Sequence, residues 1–447
     1  MRDLAIIVFL MGLLTLGVRR PFLFTLAYIY VDTVSPHRIS YYLLNSIPLS
    51  MIVALLAIGS WLLLDKKDLR ISGRQVLIAV LVLYCGWTTQ NAVVPVEAAL
   101  KWDWVWKTLV FAIFLPFTLR TRLRVEACLL FLALSAGVII ITGGIKTVLG
   151  GGGYGKLALL VSDNSGLYES STISSLAIAL IPIVLWFARH GTIFPRDWRV
   201  RVFCGALVFA CLLMPIGTEA RTGLVCVGVL GLLMLRDVKN RAVYVGVVAF
   251  CAMIATPLLP QSFQQRMGLI QGYQQDSSAT TRIAVWGWTL DFVGEHPTGG
   301  GFGAYRVNRL QVQTVQTAGP GGQVVAAQQH ADEGRAWHSA YFEMLGEQGW
   351  PGLVLFLAIH GIALFRMEKI RRRYFGREGE DAWISPLATA LQHFQIIYLV
   401  GALFVAIAFT SFIFLMLGVQ IGFDLLIRRR ERAAEKRPFL AKAPLPA

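Results

Sequence analysis

The stretch His330-Ala331-Asp332-Glu333-Gly334-Arg335-Ala336-Trp337-His338-Ser339-Ala340-Tyr341-Phe342-Glu343-Met344-Leu345-Gly346-Glu347-Gln348-Gly349-Trp350-Pro351-Gly352 marks an abrupt boundary in the chain. Up to His338 it is polar, charged or small; from 345 to 365 it is mostly apolar for about twenty residues, the length that crosses the hydrocarbon core of a bilayer. A polar loop that feeds straight into a spanning helix indicates a membrane protein. It also sets two histidines and several carboxylates where loop and bilayer meet.

Composition agrees. The 447 residues are 56% hydrophobic and 15% charged, with mean hydropathy +0.61, far below the roughly 25% charge of soluble domains. The net charge of +15 does not point to nucleic acid, because the basic residues sit in short clusters between apolar runs, as orientation in a membrane requires. Apolar runs near 4–18, 21–32, 46–64, 75–90, 104–119, 125–148, 172–188, 202–216, 222–235, 242–258, 345–365, 386–408 and 410–428 predict an all-α polytopic integral membrane protein of about 12 transmembrane helices. The first two runs, parted only by Arg19-Arg20-Pro21, read either as a tight hairpin or as one broken span. Leu4 to Val18 lacks a basic start and a small-residue cleavage site, so it reads as a retained anchor. The six cysteines all lie in apolar runs and read as small buried hydrophobes.

Alternate connections are strongly basic: Lys66-Lys67 to Arg74, Arg120 to Arg124, Arg189 to Arg201, Arg236 to Arg241, Arg366 to Arg377, and the tail from Arg428. The positive-inside rule assigns these to the cytoplasm. The domain plan is therefore 1–258, N-terminal transmembrane helices; 259–344, one large periplasmic loop carrying short helices; 345–428, C-terminal transmembrane helices; and 429–447, a basic cytoplasmic tail. Between Pro257 and Gly349 the chain has five Arg, no Lys and seven acids, a mixed charge that suits a folded lid over the outer face. Thr280 to Val293 predicts an interfacial helix stopped by Glu295-His296-Pro297, followed by a glycine turn at Gly299 to Gly303. Gln311 to Gln329 shows no clear pattern.

His338, just before the helix start and with Ser339 as its expected N-cap, can be neutral near pH 7 and accept a proton, as a general base must. The alternative role is a structural interfacial histidine. Arg221, in the sharp turn Gly217-Thr218-Glu219-Ala220-Arg221-Thr222-Gly223, is costly at the edge of hydrocarbon without a partner, and at a helix start its fork can hold a phosphate oxygen. An ion pair with Glu219 is the plainer alternative. Arg282, on the interfacial helix, is a second outward cation of the same kind. Lys107, one turn after Asp103 among Trp102, Trp104 and Trp106, reads either as an interfacial anchor or as support for the site, along with Glu343 and Glu347. His360 and His393 lie in apolar helices and suit interhelical contacts. His330, Asp332, Glu333 and His338 match no metal-ligand spacing, so neither metal nor cofactor is expected. Gly150-Gly151-Gly152-Gly153 lacks a following Lys-Ser/Thr, and Gly299 to Gly303 lacks a preceding strand, so the energy for a reaction must come from an activated substrate.

Trp337-His338 through Gly352 resembles the signature of the O-antigen ligase/polymerase superfamily, which includes O-glycosylation ligases: a histidine closes the large periplasmic loop before a helix start with Glu-x-Gly-x-x-Gly. Ser339 stands where that family often has Asn. Glu219-Ala220-Arg221-Thr222-Gly223 is similar to the family's Ser-Arg-x-Gly turn, with Ala220 for Ser. Arg282, Trp286, Pro297, Gly299 and Gly303 resemble its Arg, Trp, Pro and Gly loop segment, and Ser35-Pro36-His37-Arg38-Ile39-Ser40 resembles the N-terminal region of its O-glycosylation members. The resemblance implies a metal-independent, inverting glycosyltransferase in the bacterial inner membrane. It would move a glycan from undecaprenyl diphosphate to lipid A–core at the periplasmic face, with membrane lipids and no nucleic acid as its surroundings. His338 would be its catalytic base, and Arg221 and Arg282 its diphosphate ligands; binding of the diphosphate by cationic His338 is the competing role. A protein O-oligosaccharyltransferase or an O-antigen polymerase would share this chemistry. A transporter of lipid-linked sugars would instead show charges at mid-span and inverted repeats, and the sequence shows neither.

Overall fold

The computed structural model describes residues 2–40, 44, 47–149, 166–236, 238, 240–246, 253, 277–318 and 323–435, with backbone alone for 2, 277–279, 311–318 and 323–330. The chain folds into a helical bundle. Its first helices are α1 (Arg2–Arg19), α2 (Phe22–Val34), a single turn α3 (Pro36–Ile39), α4 (Leu49–Leu64), α5 (Gly73–Gln90) and α6 (Pro95–Thr118). α7 (Arg122–Leu149), α8 (Ser170–His190), α9 (Trp198–Gly217) and α10 (Arg221–Met234) follow. Beyond them come α11 (Ser277–Glu295), α12 (Ala340–Arg373), α13 (Ile384–Gly401) and α14 (Ser411–Glu435). Among the described residues α7, α8, α9, α12 and α14 are long and apolar enough to cross a membrane, and α2, α4 and α10 are shorter apolar helices. Large apolar side chains such as Leu55, Leu63, Leu83 and Phe365 remain exposed, as a lipid-facing surface requires.

The two N-terminal runs form a hairpin. Gly17 has no side chain to obstruct the Phe24 ring, so the helices approach closely, and the Ser40 hydroxyl donates to Asp3 at 2.8 Å, bringing the chain back beside its start.

The basic connections gather at one end of the bundle and are held by buried acids. Asp424 accepts from Arg74 (2.8 Å), Arg366 (2.6 Å) and Arg428 (3.1 Å). Glu368 binds Arg236 and Arg371, and Glu126 binds Arg122 and the Thr192 backbone. At the other end Val93 N–H donates to Gly300 O (2.9 Å) and Ala340 N–H to Ala402 O (2.8 Å), tying the segment expected as the large loop to the turn before α6 and to the chain just after α13. Between the two ends, Gln395 bonds His360 (3.0 Å) and Gln420 (3.1 Å), the interhelical contact expected of His360.

Three boundaries differ from expectation. Gln311 to Gln329 is not patternless: β1 (Arg309–Ala318) and β2 (Gln323–Glu333) pair antiparallel, with Arg309 opposite Glu333 and Val312 opposite His330. The sequence signal is β-branched residues on both sides of Gly319-Pro320-Gly321-Gly322, a turn composition; among the described residues one hairpin thus joins an otherwise helical fold. The span expected at 386–408 ends at Gly401, because the apolar segment 402–410 turns back, with Tyr398 Oη donating to Ile407 O (3.2 Å). α14 continues through Glu435, so the first part of the expected tail is helix. Most of the expected span 242–258, Cys251, Gly150 to Gly153, 259–276 and 436–447 lie outside the described residues; the other five cysteines are buried.

Candidate active site

His338 is held by its neighbours. Trp337 is buried, with its carbonyl accepting from Trp286 Nε1 (2.9 Å), and the absence of a side chain at Gly346 lets its ring lie against α12. Ser339 is buried too; its carbonyl accepts from Glu343 N–H (2.8 Å), and the next residue, Ala340, is tied to Ala402. Ser339 occupies the N-cap position, but its hydroxyl makes no capping bond. Pinned on both sides, His338 adopts φ 47°, a left-handed backbone that costs a non-glycine residue of order 1–3 kcal/mol and persists only where its surroundings over-determine it.

α11 supplies the wall beside it. Its buried face carries Val285, Thr289 and Val293 at helical spacing, while Ile283 and Leu290 stay exposed, so the expected amphipathic helix forms over 277–295. Trp286 stacks on Phe342 with ring centroids 4.9 Å apart and the planes within 3°. This packing fixes α11 against the start of α12 and puts Arg282 within electrostatic reach of His338.

Three charges define the histidine's environment. Partial desolvation, the Arg282 guanidinium and, more weakly, Arg335 lower the His338 pKa below its ordinary 6.5, while Glu169 opposes them. The residue itself is exposed, so the desolvation is incomplete and the ring stays accessible to a reactant. A histidine in this setting is neutral at pH 7 and can take a proton. Glu169 is fixed as the N-cap of α8, accepting from Thr172 N–H and Oγ1 (2.5 and 2.7 Å). Little more than one turn further along α8, Ser174 lies against Gly223, where a Cβ would collide with it, and Gly223 belongs to the first turn of α10, which Arg221 begins. The N-termini of α8 and α10, the Arg282 face of α11 and the His338 junction thus converge. Glu219, just before Arg221, is buried and itself takes a left-handed φ of 50°.

Beneath His338, α12 breaks. Gly349 has φ 63° and ψ −167°, and the glycine loop threads through the break: Gly300 N–H donates to Gly346 O (2.9 Å), Gly301 N–H to Glu347 O (2.9 Å) and Trp350 N–H to Pro297 O (3.0 Å). A Cβ on Gly349 would strike the Pro297 carbonyl, and one on Gly299 the Glu347 carbonyl, so both positions need glycine. Lys101 locks the arrangement, donating to Glu343 Oε1 (2.6 Å) and to Glu347 Oε1 and Oε2 (2.9 and 2.8 Å). Glu343 Oε2 accepts from Ala408 N–H (2.8 Å) and Glu347 Oε1 from Gly303 N–H (3.0 Å).

Glu343 and Glu347 therefore tie the start of α12 to Lys101, Ala408 and Gly303. Lys107 is not their partner; it pairs with Asp103 (2.9 Å) beside the Trp106 ring. Lys101 and Glu169 escaped sequence reading. Two glutamates four apart at the buried start of a helix need a cation, and that need was the available signal for Lys101; Glu169 directly before Ser170-Ser171-Thr172 has the look of a helix cap. In the set considered for a metal, Asp332 faces Arg335 and Glu333 faces Arg309 (3.5 Å), and the His330 side chain lies outside the described residues.

Compared with known proteins, residues 206–357 match the family model described as O-antigen ligase, and residues 1–192 match a family of unknown function (DUF5935). No curated protein matches the chain. The first match contains Arg221, Arg282, His338, Glu343, Glu347 and the broken start of α12, and it supports a member of the O-antigen ligase superfamily, whose members are glycosyltransferase-like ligases and polymerases.

Proposed function

We propose that the protein transfers a preassembled glycan from undecaprenyl diphosphate to lipid A–core, at the periplasmic face of a bacterial inner membrane that it crosses about twelve times. The observation that carries this is the His338 junction: an accessible histidine with a lowered pKa, in a constrained backbone, beside Arg282. The acceptor hydroxyl attacks the anomeric carbon from the side opposite the leaving group and gives its proton to His338. The new acceptor–glycan C–O bond forms as the bond from the anomeric carbon to the diphosphate oxygen breaks, and undecaprenyl diphosphate leaves with inversion. Arg221 and Arg282 hold the diphosphate and stabilise the charge building on it. The bond energy of the donor supplies the driving force, so neither nucleotide nor metal is needed.

The test is transfer by purified protein supplied with undecaprenyl-diphosphate glycan and rough lipopolysaccharide, with and without chelator. Wild type should glycosylate lipid A–core equally in both conditions. His338→Ala and Arg221→Ala should fold but lose the activity. Normal transfer by His338→Ala removes the general base, and loss on chelation that a divalent ion restores removes the metal-independent mechanism. Donor consumed only onto protein or onto growing glycan changes the acceptor, a question raised by the Ser35 to Ser40 segment, while lipid-linked sugar crossing the bilayer without reacting replaces the enzyme by a transporter.

A further inference from the structure

Far from the His338 junction, at the basic end of the bundle, α7, α8 and α9 enclose a cavity of about 350 Å³. Its walls are apolar: Leu130 and Leu134 from α7, Phe187 and Ala188 from α8, Phe203 and Leu207 from α9. Arg196 and Arg199 stand at its mouth, in a connection, 189–201, that carries four arginines against the single acid Asp197. Asp197 reaches Arg199 only at 3.9 Å, and the Arg199 side chain is 79% exposed, so that arginine's charge faces outward. The mouth is rigid. Buried Glu126 accepts from Thr192 N–H and Oγ1 (2.7 and 2.8 Å), and Arg122 donates to His190 O (2.6 Å), which fixes the turn between α8 and α9 onto α7.

The depth of the cavity is informative. From Arg199 to Leu207, α9 advances eight residues, about 12 Å at ~1.5 Å each, close to the ~15 Å of hydrocarbon in one leaflet. Exposed Trp198, at the level of the arginines, matches the aromatic belt of a membrane interface. Apolar walls through one leaflet's depth, with two cations at headgroup level, fit an acyl chain bearing an anionic headgroup.

We propose that this cavity is a binding site for an anionic phospholipid of the cytoplasmic leaflet, the acyl chain lying between α7, α8 and α9 and the phosphate facing Arg196 and Arg199. Two arginines near the surface should give roughly a 30-fold preference for an anionic over a zwitterionic lipid with the same chains. The test is thermal unfolding of the delipidated full-length chain in detergent, titrated with phosphatidylglycerol, phosphatidylcholine or glycerol phosphate. Saturable stabilisation by phosphatidylglycerol at about 30-fold lower concentration than phosphatidylcholine is expected, with no effect of glycerol phosphate. Arg196→Ala/Arg199→Ala, which alters only exposed side chains, should abolish the preference, and Ala188→Phe, which fills the cavity, should weaken both lipids. Equal responses to the two lipids, a preference that survives the double substitution, or stabilisation by glycerol phosphate alone would overturn the site. Because neither arginine touches the transfer machinery, transfer activity plays no part in the outcome.

Discussion

Lys101→Met should loosen the whole outer end of the bundle. The ammonium reaches three carboxylate oxygens at 2.6–2.9 Å, with side-chain exposure of 20% for Lys101, 7% for Glu343 and 0% for Glu347. It also lies 5.4 Å from the ring centroids of Phe302 and Phe409, so little water can replace it. Removing one partner of a buried ion pair costs about 3–5 kcal/mol, since the remaining charges keep their desolvation penalty without the attraction. The partial exposure of Lys101 argues for the lower end, about 3 kcal/mol, or a factor of roughly 150 in the folded-to-unfolded ratio. Here two carboxylates one helical turn apart would be left facing each other. Unfolding of purified protein in mixed micelles, titrated with denaturing detergent, measures the change. A second variant isolates the cause: Lys101→Met/Glu343→Gln/Glu347→Gln removes the stranded charges and should recover much of the loss. A Lys101→Met protein within about 1 kcal/mol of wild type would mean that the cluster behaves as a solvated surface pair. A triple variant less stable than the single would mean that the glutamates stabilise through their neutral contacts alone; either result refutes the anchoring role.

Two further perturbations follow from the same geometry. Transfer needs neutral His338, so kcat/KM should fall as pH drops through its lowered pKa; Arg335→Gln removes a charge that lowers that pKa and should shift the acidic limb to higher pH, whereas Glu169→Gln, which keeps an oxygen for the Thr172 cap, should shift it lower. Limbs that stay fixed in both variants would show that another group controls the rate. Gly349→Ala should destabilise by about 2 kcal/mol or more, because its Cβ would meet the Pro297 carbonyl and lie 2.5 Å from Gly299 N at φ 63°, while Gly361→Ala, with nothing within 4 Å on the same helix, should be neutral or stabilise by up to ~1 kcal/mol. The two unfolding curves, compared directly, test whether the break in α12 is required.

Hydropathy located most of the helices because burial in lipid imposes the same demand on every span. It misplaced the end of α13 because 402–410 is apolar, so hydropathy continues through it, while the backbone turns on bonds to Tyr398 of α13 itself and to Glu343 from a distant part of the chain. The hairpin was missed for a related reason: its alternation is diluted by glutamine, and only the Gly319 to Gly322 turn advertised it. His338, Arg221 and Arg282 stood out in the sequence as candidates because polar groups at a membrane boundary have few structural uses. Lys101 was not, since a lysine near a helix start inside an aromatic cluster reads as an anchor until the fold shows which lysine meets the glutamates, and Lys107 stood equally well placed in sequence.

The break in α12 explains why this loop and the start of the helix after it are so rich in glycine and carboxylate. A continuous helix from Ala340 would close the Gly346 carbonyl with Trp350 N–H and, since Pro351 has no N–H, leave only the Glu347 carbonyl free to hold the loop that precedes it. Breaking it at Gly349 leaves both carbonyls, of Gly346 and Glu347, open to the amides of Gly300 and Gly301, and the Glu347 carboxylate closes over Gly303 from the other side. The loop that follows α11 is thereby fastened to the very helix that begins two residues after His338, so Arg282 and His338 are carried on elements that cannot shift independently. A transferase acting on a long, flexible lipid-linked donor has that need: the diphosphate and the attacking hydroxyl must be held in register at an interface where substrate, lipid and water all move, and misplacement of about 1 Å there can cost 100-fold in rate. The glutamates meet this need through Lys101 and the amides of Gly303 and Ala408, while the proposed mechanism gives proton transfer to His338, the exposed histidine whose pKa is lowered at the junction.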